Sequence, residues 1–238
     1  MSVPDMAMVM AAGLGKRMRP LTDSRPKPLV EVAGKPLIDH CLDKLRAAGV
    51  TKAVVNVHYL ADMLEAHLAE VPGLEIAVSD ERNLLLETGG GLVQALPLIE
   101  ADPFLAVNSD NLWTDGEGDT IRFLADAWDE ERMDCLLLLV PHERAYSHTG
   151  SGDFHIEPDG TLRRRAEDER APFIYTGIQI VSHRLFHGEM PPGPFSTNIL
   201  WDRAIEVGRC FGAVHQGLWF DVGAPANIGV AEEVLGKL

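Results

Sequence analysis

Residues 8–29 read MVMAAGLGKRMRPLTDSRPKPL, and the architecture of the whole chain follows from this stretch. Its first part is apolar, so we predict a buried strand over residues 7–12. A loop rich in glycine and cations follows, with Gly13, Gly15, Lys16, Arg17, Arg19 and Lys27. A strand that opens into such a loop can hold a polyphosphate, because glycines let backbone N–H groups approach phosphates while Arg and Lys neutralise the charge.

Two common phosphate-binding loops are excluded by spacing. The Walker A motif needs a glycine and a Ser or Thr where this chain has Met10 and Arg17. The dinucleotide fingerprint needs a third glycine at the position of Met18. On composition alone, an ordinary basic surface loop remains the alternative.

The next hundred residues alternate between strand and helix patterns. Apolar residues recur at helical spacing from Leu37 until Gly49, a strand is predicted at 52–57, a helix at 61–69 and a strand at 74–78. This alternation predicts a parallel sheet with helices on both faces. Ligands of such sheets bind outside the carboxyl ends of the strands, which is where the glycine loop falls.

The rest of the chain gives weaker but readable signals. Asp159-Gly160 is a turn between two short strands at 154–156 and 161–164, so we predict a hairpin there. The other predicted strands are 104–107, 134–140, 173–181, 211–215 and 218–221. A further helix is predicted to follow the glycines at 89–91 and to continue to 98. The remaining predicted helices are 120–131, 195–207 and 225–235.

Composition limits the possible partners. The chain has 238 residues, 46% of them hydrophobic, and a formal charge of −15, which argues against nucleic acid or an anionic membrane as partner. No stretch reaches the roughly 20 apolar residues that span a bilayer, and we see no signal peptide. Three scattered cysteines are expected to be reduced core thiols, so we expect a cytoplasmic protein. We also expect a monomer or a small homo-oligomer.

The order A-A-G-x-G-x-R-M-x-P-L-T, followed by P-K-P-L, resembles the signature of the sugar-1-phosphate nucleotidylyltransferases, or NDP-sugar pyrophosphorylases. The resemblance extends to the final helix. It implies a single α/β domain with a Rossmann-like nucleotidyltransferase fold, whose central mixed, mostly parallel sheet is flanked by helices and whose sugar side carries a smaller antiparallel subregion. The nucleotide-binding half is expected at about 1–115 and the sugar-binding half at about 116–238.

The segment ETGGG at 87–91 is a second candidate for nucleotide contact. Its glycines let the backbone lie flat against a ligand, and the following helix offers free N–H groups, although a plain glycine turn fits equally well. In the resembled family this segment holds the base and ribose. The nucleotide-binding residues that the resemblance implies are Ala11, Ala12, Gly13, Gly15, Lys16, Arg17, Lys27, Glu87, Thr88, Gly89 and Asn108.

Asp110 follows a predicted strand and can hold Mg²⁺, which prefers carboxylate oxygens, although a helix cap is the commoner use of such an Asp. The resemblance favours the metal. It adds Asp221 as the second magnesium ligand, because Trp219-Phe220-Asp221-Val222-Gly223 resembles the family motif W-x-D-V-G-T. Ser109 and Ala224 depart from the family pattern, which has Gly and Thr there.

The predicted sugar contacts are Asp153, Glu167, Thr176 and Gly177, of which the last three come from the resemblance. The family often has Lys after the Glu, where this chain has Asp168, so the cationic contact to the sugar phosphate is either absent or comes from elsewhere. The resemblance implies an in-line attack in which Arg17 stabilises the leaving pyrophosphate, Lys27 draws the phosphates together and Asp110 acts with Mg²⁺.

Within the family, GKRMRPLT, LETGGG, SGDF and WFDVG are most similar to the uridylyltransferases that join UTP to N-acetylmuramic acid 1-phosphate in cell-wall recycling. The implied substrates are therefore an NTP and a sugar 1-phosphate. Another sugar phosphate such as glucose or mannose 1-phosphate, another NTP, a phosphocholine substrate and a catalytically silent nucleotide sensor remain alternatives.

Overall fold

The computed structural model describes residues 1–238, and a single sheet of nine strands organises them. In chain order we number the strands β1 to β9. They are β1 Met6–Met10, β2 Lys52–Val57, β3 Glu75–Asp80, β4 Phe104–Asn108, β5 Cys135–Pro141, β6 Phe154–Ile156, β7 Leu162–Arg164, β8 Phe173–Val181 and β9 Cys210–Val214. The α-helices are α1 Leu37–Ala48, α2 Ala61–Leu68, α3 Glu87–Ala95, α4 Thr120–Asp126, α5 Asn198–Glu206 and α6 Pro225–Leu235.

The sheet has two regions of different direction. Strands β3, β2, β1 and β4 are adjacent in that order and parallel. Beyond β4 the order is β8, β6 and β7 with antiparallel pairing, while β5 pairs with β8 and β9. The prediction of a mostly parallel sheet with an antiparallel subregion, including the hairpin of β6 and β7, is therefore confirmed.

Helices cover both faces of the sheet. Successive side chains of a strand point to opposite faces, so each strand contributes to two cores. On β1, Ala7 and Val9 pack in a core with α1, α2 and α4, whereas Met6 and Met8 pack in a second core with α3 and α5. A third, smaller core lies under the glycine loop and α6. All three cysteines are free and buried, as expected. No helix is both long and apolar enough to cross a membrane.

Several predicted helix boundaries are wrong: the helix predicted at 195–207 spans Asn198–Glu206, and the one predicted to continue to 98 ends at Ala95. The helix predicted at 120–131 ends at Asp126, where the Trp128 N–H donates to the Ala125 carbonyl in a tighter final turn. The Asp129 carboxylate then accepts the Glu131 N–H in a separate turn. The glycines at 89–91 lie within α3 instead of leading into it. The prediction missed this because glycine is a poor helix former, and tertiary contacts override that preference here.

Candidate active site

The site lies between β1 and β4, where the order of the parallel strands in the sheet reverses. These neighbouring strands are parallel, with Met10 opposite Asn108, and both end at the same edge. The backbone N–H of Ser109 donates to the carbonyl of Met10 at 3.0 Å, so the glycine loop and the Asn108–Asp110 segment leave the sheet side by side. A switch point of this kind leaves a crevice outside the strand ends.

The glycine loop is fixed by its own short contacts. Gly15 has φ 59°, and a Cβ there would lie 3.0 Å from the side chains of Thr22 and Lys27. The Gly15 carbonyl accepts hydrogen bonds from the Met18 N–H at 2.9 Å and from the Thr22 hydroxyl at 2.8 Å. Glycine is therefore needed where the loop passes Lys27, and the backbone turn is closed without a ligand.

A buried polar pair supports the start of the loop. Asn56 Oδ1 accepts the N–H groups of Ala11 at 2.6 Å and Ala12 at 3.3 Å, and Asn56 Nδ2 donates to Glu81 Oε1 at 2.6 Å. Glu81 Oε2 accepts the Leu86 N–H at 2.9 Å. Both side chains are almost fully buried. This network joins the glycine loop to the segment before α3, and nothing in the sequence motifs indicated it.

Two cavities open at this edge. Cavity I has a volume of about 400 Å³ and cavity II about 230 Å³. Cavity I is lined by Met10, Ala12, Gly13, Asn56, Leu85, Glu87, Thr88, Asn108, Asp110 and Ser196. Cavity II is lined by Arg17, Asn108, Asp110, Asn111, His148, Asp153, Ile174, Tyr175, Thr176, Gly177, Trp219, Phe220, Asp221 and Val222. Asn108 and Asp110 belong to both, so the cavities adjoin at the end of β4.

Cavity I takes one wall from the second half of the chain. The Phe195 carbonyl accepts the N–H groups of Gly89 at 2.8 Å and Gly90 at 3.2 Å, and the Thr197 N–H donates to Thr88 Oγ1 at 2.9 Å. A Cβ at Gly89 would lie 2.4 Å from the Phe195 ring. The Gly89 N–H is therefore already bonded within the protein, and the glycines make room for the segment that carries Ser196 into the cavity.

Glu87, at the start of α3, is one of few non-glycine residues with positive φ, at 60°. It lines cavity I next to Thr88. A non-glycine residue in this conformation is strained by about 1–3 kcal/mol, and such strain is concentrated at ligand-binding positions. The predicted nucleotide residues Glu87 and Thr88 therefore face the same space as Ala12, Gly13 and Asn108.

Asp110 is held by a cation from the glycine-loop region. Lys27 Nζ lies 2.5 Å from Asp110 Oδ2, with side chains that are 13% and 34% exposed. Below it, the Cys41 thiol is fully buried; burial raises its pKa, and the negative charge of Asp110 raises it further. Cys41 therefore stays a neutral thiol and offers no nucleophile to the cleft.

Asp221 reaches the same cleft because the residues on either side of it share a core with the glycine loop. Phe220 and Val222 pack in the third core with Met18, the residue after Arg17. A Cβ at Gly223 would lie 2.7 Å from Asp221 Oδ1 and 3.2 Å from an Arg17 guanidinium nitrogen. Arg17 and Asp221 thus share one corner of cavity II. Asp110 and Asp221 both line this cavity. Their joint role as metal ligands stays a prediction.

The antiparallel strands supply the floor of cavity II. Asp153 Oδ2 accepts the Tyr175 N–H at 2.8 Å, which holds the carboxylate against β8. The Thr176 hydroxyl donates to the Leu138 carbonyl at 2.8 Å, so this side chain is occupied within the sheet. Gly177 has φ 82°, and a Cβ there would lie 2.6 Å from Asn108 Nδ2 and 2.7 Å from Asn111 Nδ2. Only glycine fits between these amides.

The structure does not bring every predicted residue to a cavity wall. Ala11, Gly15, Lys16, Lys27 and Gly89 lie in or beside the site without lining either cavity, and Glu167 lies in an exposed turn after β7. Sequence analysis in turn missed four polar lining residues, Asn56, Asn111, His148 and Ser196. Of these, only Asn56 stands out in the sequence, because it is the one polar residue among the apolar residues at 53–57.

The chain is similar in sequence to known nucleotidyl transferases. Residues 6–150 match the family described as Nucleotidyl transferase. The chain is 48% identical over 238 residues to N-acetylmuramate alpha-1-phosphate uridylyltransferase of Caulobacter vibrioides, covering 98% of each chain. It is 37% identical over 232 residues to the protein of the same name from Neisseria meningitidis serogroup B, covering 97% of this chain and 98% of that one.

Among solved structures, the inositol-1-phosphate CTP transferase of T. maritima superposes with a TM-score of 0.79, covering 99% of this chain and 96% of that chain. The two sequences are 18% identical, so this likeness concerns the fold. It confirms the predicted nucleotidyltransferase fold.

Proposed function

The chain belongs to the nucleotidyl transferase family, and from this premise we propose that it joins UTP to N-acetylmuramic acid 1-phosphate, forming UDP-N-acetylmuramate and pyrophosphate. The choice of substrates is supported by two relatives that are named for this activity and of which the chain covers 98% each. The role in cell-wall recycling remains a prediction of the sequence resemblance.

The observation that carries the proposal is the position of Asp110 in the lining of both cavities. We assign cavity I to the nucleotide, because the glycine loop and the start of α3 border it. Cavity II takes the sugar phosphate, because strand β8 and the hairpin side contribute its polar floor. The reacting phosphates then meet at Asp110, where the two cavities adjoin.

The two aspartates fit a magnesium ion. Mg²⁺ is commonly bound through one or two carboxylates together with substrate phosphates and waters, so a cluster of three or more protein ligands, which is absent here, is not required. Asp110 and Asp221 would hold the ion at the wall of cavity II. When bound, Mg²⁺ supplies charge neutralisation and polarisation of phosphoryl oxygens.

The remaining chemistry belongs to the side chains of the cleft. The sugar phosphate is itself an anionic nucleophile, so direct attack on the α-phosphorus of UTP needs no covalent intermediate and no general base. Lys27, which contacts Asp110, would neutralise the two approaching phosphates. Arg17, which lines cavity II together with Asp110, would stabilise the pyrophosphate that leaves. Positioning and charge stabilisation then account for the rate enhancement, as in other phosphoryl transfers.

A screen of pyrophosphate release tests this proposal. The purified protein is incubated with Mg²⁺ and each pair of UTP, GTP, CTP, ATP or dTTP with N-acetylmuramic acid, N-acetylglucosamine, glucose or mannose 1-phosphate. The proposal predicts the highest kcat/KM for UTP with N-acetylmuramic acid 1-phosphate. A clear preference for another pair would replace the substrates but keep the chemistry. Nucleotide binding without pyrophosphate release from any pair would instead indicate a nucleotide sensor.

A further inference from the structure

The loop at residues 147–152, which leads into β6, carries an imidazole that the proposed function leaves without a role. We propose that His148 is a positioning residue that orients the carboxylate of Asp221 and thereby sets the affinity of the cleft for its divalent metal ion. The inference rests on the proposed function, because it requires Asp221 to be a metal ligand.

Strand pairing brings the two residues together. Ala145–Tyr146 runs parallel to Trp219–Phe220, with Tyr146 opposite Phe220, and the Asp221 N–H donates to the Tyr146 carbonyl at 3.0 Å. Because the two segments run in the same direction, the residues that follow each of them emerge at the same edge. Asp221 follows one segment, and residues 147–148 follow the other.

The backbone turns sharply between these segments. Ser147 has φ 62°, a left-handed conformation that strains a non-glycine residue by about 1–3 kcal/mol. The turn brings the His148 ring beside the Trp219 ring, with centroids 6.1 Å apart and the two planes tilted by 59°. It also points His148 Nδ1 at Asp221 Oδ2, 3.9 Å away. The strain at Ser147 therefore coincides with the placement of an imidazole beside the carboxylate.

The other ring nitrogen indicates where the hydrogen of the neutral imidazole lies. His148 Nε2 is buried and has no hydrogen-bond partner. The backbone of Gly150 covers it, since a Cβ at Gly150 would lie only 2.5 Å from this nitrogen. A buried N–H without an acceptor is strongly unfavourable, whereas an unpaired acceptor is tolerated more often. The neutral ring therefore carries its hydrogen on Nδ1, facing Asp221.

The two oxygens of Asp221 consequently have different neighbours. Oδ2 faces the N–H of His148, while Oδ1 lies beside Gly223 and near Arg17. At 3.9 Å the attraction of the imidazole N–H for Oδ2 is electrostatic, because the distance exceeds that of a hydrogen bond. An imidazole held by Trp219 and Gly150 thus restrains one oxygen, which limits the rotation of the carboxylate. Groups that orient a metal ligand in this way change metal affinity by about 10–100-fold when they are mutated.

Two substitutions of His148 separate this role from simple packing. The amide nitrogen of Asn lies close to the position of Nδ1, and that of Gln close to Nε2. We therefore compare His148→Asn with His148→Gln. Binding of Mn²⁺ to the protein saturated with the α,β-imido analogue of UTP is followed by loss of the free Mn²⁺ electron paramagnetic resonance signal, after subtraction of the analogue alone.

The inference predicts that His148→Gln weakens Mn²⁺ binding about tenfold, whereas His148→Asn stays within about twofold of the unmodified protein. In assays with Mg²⁺, His148→Gln should need more Mg²⁺ for half-maximal rate but approach normal kcat at saturation. In an Asp221→Asn background, His148→Gln should have no further effect on Mn²⁺ binding, which a folding defect alone would not produce.

The outcomes are separable. If His148→Gln binds Mn²⁺ normally while Asp221→Asn binds it weakly, the inference about His148 is wrong and the proposed metal site stands. If His148→Gln binds Mn²⁺ normally and His148→Asn binds it weakly, the ring acts through Nε2 and the inference is also wrong. If Asp221→Asn itself leaves Mn²⁺ binding unchanged, Asp221 is not a metal ligand and that part of the proposed function fails.

Discussion

Lys27 Nζ lies 2.5 Å from Oδ2 of Asp110, and this contact joins two residues 83 positions apart at the point where both cavities meet. The lysine side chain is 13% exposed, so the pair is partly shielded from water. Shielding strengthens the attraction and fixes the ammonium beside the carboxylate before any substrate binds. In the proposed mechanism, the Lys27 ammonium is therefore in place before the phosphates bind.

Replacement of Lys27 by Ala should reduce kcat by about 10²–10³, the typical loss for one charge-stabilising donor in an active site. Steady-state pyrophosphate release measures this effect. Lys52→Ala is the matched control, because Lys52 has only a 3.8 Å contact with the exposed Glu75. It should leave kcat within about twofold, as for surface substitutions generally. Near-normal turnover of Lys27→Ala would remove the lysine from the mechanism.

Gly177→Ala should damage cavity II. Its φ of 82° alone destabilises Ala by about 1–2 kcal/mol. The added Cβ would also lie 2.6 Å from Asn108 Nδ2, which adds about 1–3 kcal/mol of overpacking. Gly188→Ala is the control, because Gly188 has φ 91° but no atom within 4 Å of its Cβ position. Urea unfolding should show the larger loss for Gly177→Ala, and only that variant should raise KM for the sugar phosphate. Equal losses would show that crowding by the amides is unimportant.

Gly89→Ala tests the wall that Phe195 builds over α3. A Cβ would lie 2.4 Å from the Phe195 ring, so the segment carrying Ser196 must shift and stability should fall by about 1–3 kcal/mol. KM for UTP should rise because Ser196 lines cavity I. Gly229→Ala, also within a helix but with no atom near its Cβ position, should instead stabilise by about 0.5–1 kcal/mol. An unchanged KM for UTP in Gly89→Ala would argue against nucleotide binding in cavity I.

Asp115 gives a pH-dependent contribution to stability. Burial raises its pKa, but hydrogen bonds from Lys44 and Thr120 outweigh burial and hold the pKa below its ordinary value of 3.8. A carboxylate with a lowered pKa stabilises the folded state above the unfolded pKa and loses that contribution as the pH falls. Asp115→Asn should therefore lower the free energy of unfolding by about 1 kcal/mol at neutral pH, and the difference should shrink below pH 3.8. Chemical unfolding at several pH values measures it; a difference independent of pH would contradict the argument.

Much of the fold was readable because its strands are uninterrupted apolar runs. The predicted bounds of β2 and β8 and of the final helix agree with the structure, since apolar periodicity and a helix-starting Pro225 mark them clearly. The end of α4 could not be predicted, because Trp128 lies beyond the helix but packs in the same core as the helix residues Ile121 and Leu124. Apolar residues at helical spacing therefore do not show where a helix ends, because residues after the helix can also be buried in the core.

The site was predictable where a motif carries it. Asp110, Asp221 and Arg17 were found through the resemblance, and all three line cavity II. Asn56 and His148 belong to no motif, and their roles depend on neighbours that are distant in sequence, namely Ala11 and Asp221. Only the folded chain shows such pairings, because strand register determines them.

The convergence of Asp110 and Asp221 is the central claim, and a double-mutant cycle tests it most directly. Pyrophosphate release from UTP and N-acetylmuramic acid 1-phosphate is measured for Asp110→Asn, Asp221→Asn and the double variant. If both carboxylates hold one ion, each single variant should lose about 10²–10³ in kcat. The double variant should then lose little more than the worse single one, because groups that act as a unit are not additive. Near-normal turnover of either single variant, or losses that multiply in the double variant, would contradict the shared site.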